Sequence, residues 1–156
     1  MEIVLLAHKP EYLSELATLH FHQWHWLNPE FTVRDYFEKG RRHLNIDTLP
    51  LTYIAIRNKR LLGSASLRTE DFDNRKDLSP WLGGMIVKES ERGKGICTKL
   101  EHAICEKARE LGYDSLFLFT FDKMGIYAHL GWRIIGTDEF KGNDVSIMEK
   151  ALERFL

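Results

Sequence analysis

At 156 residues, with 44% hydrophobic and 29% charged side chains, the chain has the size and composition of one soluble globular domain able to bury its own core. Its net charge is −1, with 22 basic and 23 acidic side chains interleaved, so the molecule as a whole offers no field that would select nucleic acid or an anionic membrane, and any phosphate binding must be local. The apolar run at residues 1–7 is too short to span a membrane and carries neither a basic leader nor a small-residue cleavage site, so a cytoplasmic location is the expectation.

Residues 2–7 read as a first strand, and Pro10 opens a helix with Tyr12, Leu13, Leu16, Ala17 and His20 on one face. From His20 to Trp26 the chain is crowded with aromatic rings. Asn28-Pro29 breaks the pattern, and residues 33–42 predict a second short helix before a turn at 47–50. Residues 51–57 and 61–69 are strand-like and join as an antiparallel hairpin through Asn58-Lys59-Arg60, with Gly63 marking a bulge. After the polar, acidic stretch 70–79, Pro80 leads into a strand over 81–87. Gly83-Gly84 within it predicts a bulge or a close backbone approach by a ligand.

The spacing predicts a helix over 96–111, with Ile96, Leu100, Ala103, Ile104, Ala108 and Leu111 on one stripe, lysines and glutamates opposite, and Gly112 as its stop. Residues 116–119 form a continuous apolar run suited to a central strand covered on both faces, and 123–130 a short helix ended by Gly131. Strands at 132–137 and 145–152 close the chain. The order β-α-α-β-β-β-α-β-α-β-β describes an α/β (α+β) domain over residues 1–156 built on a mixed sheet, without internal repeat, linker or low-complexity segment. Cys97 and Cys105 fall on one predicted helix, about 12 Å apart at about 1.5 Å per residue, too far for a disulfide.

The run Arg92-Gly93-Lys94-Gly95-Ile96-Cys97 sits between the strand at 81–87 and the helix at 96–111. The first turn of a helix leaves backbone N–H groups unpaired at the positive end of its dipole, where anions bind. Gly93 and Gly95 let the backbone approach a phosphate, while Arg92 and Lys94 add charge around it, so a pyrophosphate fits. The dinucleotide fingerprint G-x-G-x-x-G fails at Thr98, and the nucleoside-triphosphate loop fails for want of a second Gly.

This run resembles the acyl-CoA pyrophosphate loop of the GNAT superfamily of N-acetyltransferases, [Q/R]-x-x-G-x-[G/A] after the fourth strand. Arg92, Gly95 and Cys97 occupy its defining positions, with Cys97 standing where that family has Gly or Ala. The predicted element order is also that of the GNAT fold. The resemblance implies a mixed central sheet of about seven strands flanked by about four helices. It implies an acyltransferase with acetyl-CoA as co-substrate and no metal, moving the acetyl group to a primary amine by direct attack in a ternary complex. The phosphates would be held by Arg92, Gly93, Lys94, Gly95, Ile96, Cys97 and Thr98. The pantetheine would lie as a pseudo-strand against Met85, Ile86 and Val87.

That family's general acid is commonly a Tyr in a Tyr-x-x-x-Gly-aromatic pattern, matched by Tyr127-Ala128-His129-Leu130-Gly131-Trp132. An ordinary tyrosine, with a pKa of about 10, holds its proton at neutral pH. Thr120-x-Asp122 followed by Tyr127-x-His129-Leu130-Gly131 further resembles the actin N-terminal acetyltransferases and their bacterial relatives, which implies a peptide α-amine as acceptor and adds Asp122 to the cofactor contacts. A small amine such as an aminoglycoside, polyamine or amino acid is the other acceptor reading. A catalytically silent acyl-CoA-binding sensor or partner module is the alternative of a different class, and monomer and homodimer are both compatible with exposed edge strands.

The fourth strand carries no Asp or Glu, so the base lies among His22, His25, Glu70, Asp71 and Asp73, or is a water chain. His22-x-x-His25 has one-turn metal spacing but no third ligand at a telling distance. A thiol at a helix N-terminus, such as Cys97, is open to activation, yet it sits where the phosphates belong. Trp24, Trp26 and Trp81 are either core rings or walls of an acceptor groove, and Asp71, Asp73 and Asp77 either a solvated loop or an attraction for a cationic amine.

Overall fold

The computed structural model describes residues 1–153. In chain order its elements are β1 (Glu2–Leu5), α1 (Leu13–Trp24), α2 (Val33–Arg41), β2 (Leu51–Arg57), β3 (Arg60–Arg68), β4 (Trp81–Val87), α3 (Ile96–Glu110), β5 (Ser115–Thr120), α4 (Met124–His129), β6 (Arg133–Phe140) and β7 (Asn143–Ala151). This is the predicted order. The first strand is shorter than expected, because the chain turns into a 3-10 segment at Leu6, whose side chain is fully buried. The helix α2 starts with a reciprocal cap: Asp35 N–H donates to Thr32 Oγ1 (3.1 Å) and Thr32 N–H donates to Asp35 Oδ2 (2.8 Å).

The strands form one mixed sheet in the order β1-β2-β3-β4-β5-β7-β6. All neighbours run antiparallel except β4 and β5, which share the single register pair Trp81↔Phe117 and part beyond it. From Leu82 onward the β5-facing side of β4 therefore has no strand partner. Unpaired strand edges offer main-chain donors and acceptors to anything extended that lies along them.

The β2–β3 hairpin turns on Asn58 (φ 51°) and Lys59 (φ 62°), both left-handed, with Arg60 already in β3. Its register then jumps from Ile56↔Leu61 to Ala55↔Gly63, leaving Leu62 as an extra residue. Gly63 is required there, since a Cβ would fall 2.4 Å from the Ile86 carbonyl oxygen. The extra residue switches the side-chain alternation. Leu61 packs with Leu16, Ile54 and Ile56 beneath α1, whereas Leu62, Ala65 and Leu67 join Leu51, Ala55, Leu100 and Ile104 beneath α3. Ser64, Ser66 and Arg68 consequently face α1 and α2.

A third cluster, Phe72, Trp81, Phe117, Val145 and Ile147, extends the α1 side of the sheet, with Phe119, Phe121 and Phe140 packed against it. Phe72 comes from the polar stretch before β4 and covers Trp81, which is fully buried. Of the stripe predicted for α3, Ile96, Leu100, Ile104 and Ala108 are buried and Ala103 and Leu111 half-buried, and the opposite side is not uniformly polar surface. Glu101 and Lys107 are buried as well. No helix among the described residues is long and apolar enough to cross a membrane.

Candidate active site

At the end of β4 the basic loop is held by its own side chains. Arg92 Nε donates to the Val87 carbonyl oxygen (3.1 Å), and Glu91 accepts from Arg57 (2.6 Å) and Lys94 (3.4 Å). Gly93 (φ 77°) and Gly95 (φ 82°) are both left-handed, and nothing lies within 4 Å of where their Cβ atoms would be. Backbone conformation, not crowding, demands glycine at both. Gly95 caps α3 without any side-chain acceptor, so the N–H groups of Ile96, Cys97 and Thr98 open the helix without an intrahelical acceptor. Such a cradle suits an anion. Thr98 also borders an open groove of about 410 Å³ with Gly125, Ile126, His129 and Leu130 of the α4 segment.

Midway along β4 the register against β3 shifts between Ser64↔Ile86 and Ser66↔Gly83, which is the bulge that Gly83-Gly84 predicted, with Gly84 at φ 58°. Met85, Ile86 and Val87 follow directly, Met85 half-buried and the other two buried. The hollow beside the glycines is filled from below. A Cβ on Gly83 would lie 2.7 Å from Arg68 Nη1 and 2.8 Å from Asp71 Oδ2, and one on Gly84 would lie 3.0 Å from Arg68 Nη2.

Around this bulge lies a buried polar cluster that sequence reasoning missed. Ser64 Oγ donates to the Gly84 carbonyl oxygen (2.9 Å) and lies 3.1 Å from His20 Nε2. Because that hydroxyl's one proton goes to Gly84, His20 Nε2 is the donor and its Nδ1 is left as an acceptor. Arg68 Nε donates to His43 Nε2 (3.0 Å), so His43 carries its proton on Nδ1 and gives it to the Lys39 carbonyl oxygen (2.9 Å). Arg68 also pairs with Asp71 (2.7 Å). Burial, reinforced by the Arg68 charge, lowers the pKa of both histidines to about 3. Both are neutral at physiological pH. The available signal was the alternation Ser64-x-Ser66-x-Arg68, a polar face on a strand with apolar residues between.

On the opposite face of the sheet, Tyr127 is buried in α4 with its ring edge-on to Trp132, centroids 6.0 Å apart. Its hydroxyl makes no hydrogen bond within the described residues. Burial and the neighbouring Cys97 and Glu101 raise its pKa well above the ordinary tyrosine value, so the proton stays on. The Cys97 thiol is likewise pushed up, first by burial and then by Glu101, which removes the activation that a helix N-terminus by itself suggests. Glu101, fully buried, accepts from Trp132 Nε1 (3.0 Å) and Cys105 Sγ (3.3 Å) and pairs with Lys150 (2.9 Å).

The other predicted residues scatter. His22 and His25 are exposed at the end of α1, and no group of three or more His, Cys, Asp or Glu placed to hold a metal is found among the described residues. Glu70 and Asp73 are exposed, Asp77 pairs with Arg75 (3.0 Å), and Asp71 is bound to Arg68. Asp122 is exposed just before α4, where Thr120 Oγ1 accepts from Lys123 N–H (3.0 Å). The three tryptophans part company: Trp81 is core, Trp24 lies tilted against His20 at 5.0 Å, and Trp26, 60% exposed, meets Phe121 at 5.7 Å. Lys141, in the β6–β7 turn, reaches the Asn28 side-chain oxygen in the same α1–α2 segment.

The fold is that of several solved acetyltransferases. Aminoglycoside 6'-acetyltransferase type Ii is 18% identical, with a TM-score of 0.79 and coverage of 100% of both chains. An aminoglycoside 6'-N-acetyltransferase complexed with coenzyme A is 17% identical, with a TM-score of 0.78 over 100% of this chain and 99% of that one. An acetyltransferase of the GNAT family from Staphylococcus aureus Mu50 is 20% identical, with a TM-score of 0.69 over 97% of this chain and 100% of that one. Among curated proteins no sequence matches. The sequence profile of the acetyltransferase (GNAT) family matches residues 15–132, a span that runs from the first helix through the glycine loop to Trp132. With the profile covering most of its length and the whole element order in place, this chain belongs to the GNAT family of acetyltransferases.

Proposed function

We propose that the protein transfers the acetyl group of acetyl-CoA to the primary amine of a small molecule, the two substrates meeting where β4 and β5 part. The supporting observation is that this parting joins two chemically different faces. The glycine loop, the start of α3 and Tyr127 lie on one, and the His20–Ser64–Arg68 cluster lies on the other. The names of the structural relatives, aminoglycoside acetyltransferases among them, favour a small amine over the peptide α-amine.

The residues present fit acetyl-CoA. The first-turn N–H groups of α3, behind two left-handed glycines, take the pyrophosphate, and Arg92, Lys94 and Thr98 surround it. The unpaired side of β4 from Leu82 to Val87 takes an extended amide-bearing arm, with the bulge at Gly84-Met85 turning its groups toward the gap. When bound, acetyl-CoA supplies a thioester already activated for acyl transfer. The acceptor nitrogen's lone pair forms the C–N bond as the C–S bond breaks, and the sulfur leaves with the electron pair. Tyr127, kept protonated by burial, gives its hydroxyl proton to that thiolate. The amine's own surplus proton goes to solvent, and the tyrosinate takes a proton back from solvent before the next turnover. His20 is too weak a base to take the amine's proton.

The test is thiol release from acetyl-CoA against a panel of amines, with Tyr127→Phe beside the wild type. Tyr127→Phe is expected to lower kcat about a hundredfold or more while leaving the acetyl-CoA dissociation constant unchanged. Unchanged turnover would remove Tyr127 from the mechanism. Silence of the wild type with every amine, while acetyl-CoA still raises Tm, would make the chain a binding module.

A further inference from the structure

The acceptor face carries more positive charge than it neutralises. Arg68 is nearly buried and spends Nε on His43 and Nη1 on Asp71, while Nη2 lies against the Gly84 bulge and makes no hydrogen bond among the described residues. Lys39, half-buried on α2, has no carboxylate within 4 Å and no hydrogen bond to its ammonium among the described residues. Its strongest electrostatic neighbour is Arg68, a like charge, which together with burial lowers its pKa to about 8. Both histidines of the cluster are neutral, so Asp71 is set against Arg68 and Lys39, with Arg42 adding positive charge.

A half-buried ammonium beside a guanidinium is unfavourable by itself, and such groups are normally paired. Three residues before Lys39, on the same face of α2, Tyr36 presents a buried hydroxyl with no hydrogen-bond partner. Asn28 is near enough to act on that hydroxyl's ionisation, but the pair lacks hydrogen-bond geometry. The Tyr36 ring lies edge-on to His20 at 6.3 Å, and His20 leads through Ser64 to the Gly84 carbonyl. Arg68 Nη2 thus lies open at the bulge where the acetyl group would be received, with the ammonium of Lys39 unpaired in the same charged neighbourhood.

Resting on the transferase reading above, we infer that the acceptor is an amine that also carries a carboxylate, of the amino-acid type, and that Lys39 and Arg68 Nη2 bind this carboxylate on the α1–α2 face. A carboxylate placed there completes the pairing of both cations, whereas a polycationic amine meets the same charge as repulsion. The aromatic rings near this face, Trp24, Trp26, Phe31 and Phe121, suit an apolar body on the same molecule.

Phenylalanine, phenylalaninamide, phenethylamine, spermidine and kanamycin are compared as acceptors by CoA release, and as ligands of the CoA-loaded protein by calorimetry. The acid is expected to exceed the amide and phenethylamine by about tenfold to a hundredfold in kcat/KM and in affinity, as for charged hydrogen bonds. Lys39→Met should bring acid and amide to near parity, and Lys39→Arg should keep the preference. Equal or better use of the amide, spermidine or kanamycin, or heats that do not distinguish acid from amide, would overturn the subsite. No CoA release from any amine, with acid-dependent binding that Lys39→Met abolishes, would support the subsite while removing the transferase reading. Should Lys39→Met fail to fold, the wild-type contrast between acid and amide decides alone.

Discussion

His20 and His43 show how a few atoms set the chemistry of one face. Each is pinned in a single neutral tautomer, His20 by a serine whose proton is already committed, His43 by a guanidinium that can only donate. The same pinning makes the fold sensitive to acid. In the unfolded chain each imidazole takes up a proton near pH 6.5, but in the fold not until about 3. Between those values the unfolded state binds more protons, so stability falls as pH falls, by up to about 1.4 kcal/mol per pH unit for each imidazole. Urea unfolding is therefore expected to show a loss between pH 6.5 and 5, above the range where carboxylates titrate. His20→Gln should flatten that slope. A midpoint constant across this interval would mean that the imidazoles are charged in the native state.

At the scale of elements, α3 is the piece that runs from the glycine loop past Tyr127, and Glu101 fastens it. The carboxylate ties α3 to β7 through Lys150 and to Trp132 ahead of β6, whose ring supports Tyr127. Removing one partner of a buried pair leaves the other uncompensated, so Lys150→Met should cost about 3–5 kcal/mol in equilibrium unfolding. Lys150→Met combined with Glu101→Gln should recover much of that loss. Equal losses in the single and double variants would show that the pair is not isolated from water.

The elements themselves were legible from period and punctuation. The glycine stops after α3 and α4 and the β4 bulge follow from local backbone demands that a sequence displays directly. The glycine loop and Tyr127 stood out for the same reason, because each is a local pattern. Glu101, Ser64, Arg68 and Lys39 did not. A buried polar residue has the same letter as an exposed one, and only its partners, as far away in sequence as Trp132 is from Glu101 or Ser64 from His20, make it tolerable inside.

For the molecule as a whole, the arrangement is two faces served by one gap. On the proposed reading, with the phosphates and proton donor on one side and the amine on the other, both substrates must be present before the bond is made. Initial rates against acetyl-CoA and amine should therefore give intersecting lines, and parallel lines would indicate an acetylated enzyme instead. Cys97, held as a thiol by burial, is unsuited to carry that acetyl group.

Which face carries the serine-arginine row depends on Leu62. In a strand with strict alternation, Ser64, Ser66 and Arg68 would sit on the opposite side from Ile54 and Ile56 once Leu61 was in place beneath α1. One inserted residue acts as a reading-frame shift in space, turning the serine-arginine row from the oily underside of α3 to the helices that bear His20 and Lys39. Length in this hairpin is thus information. Deleting a residue at the bulge would send three polar side chains into the main core and turn Ala65 and Leu67 toward α1 and α2, whereas a compensating insertion nearer β4 would put the message back in phase.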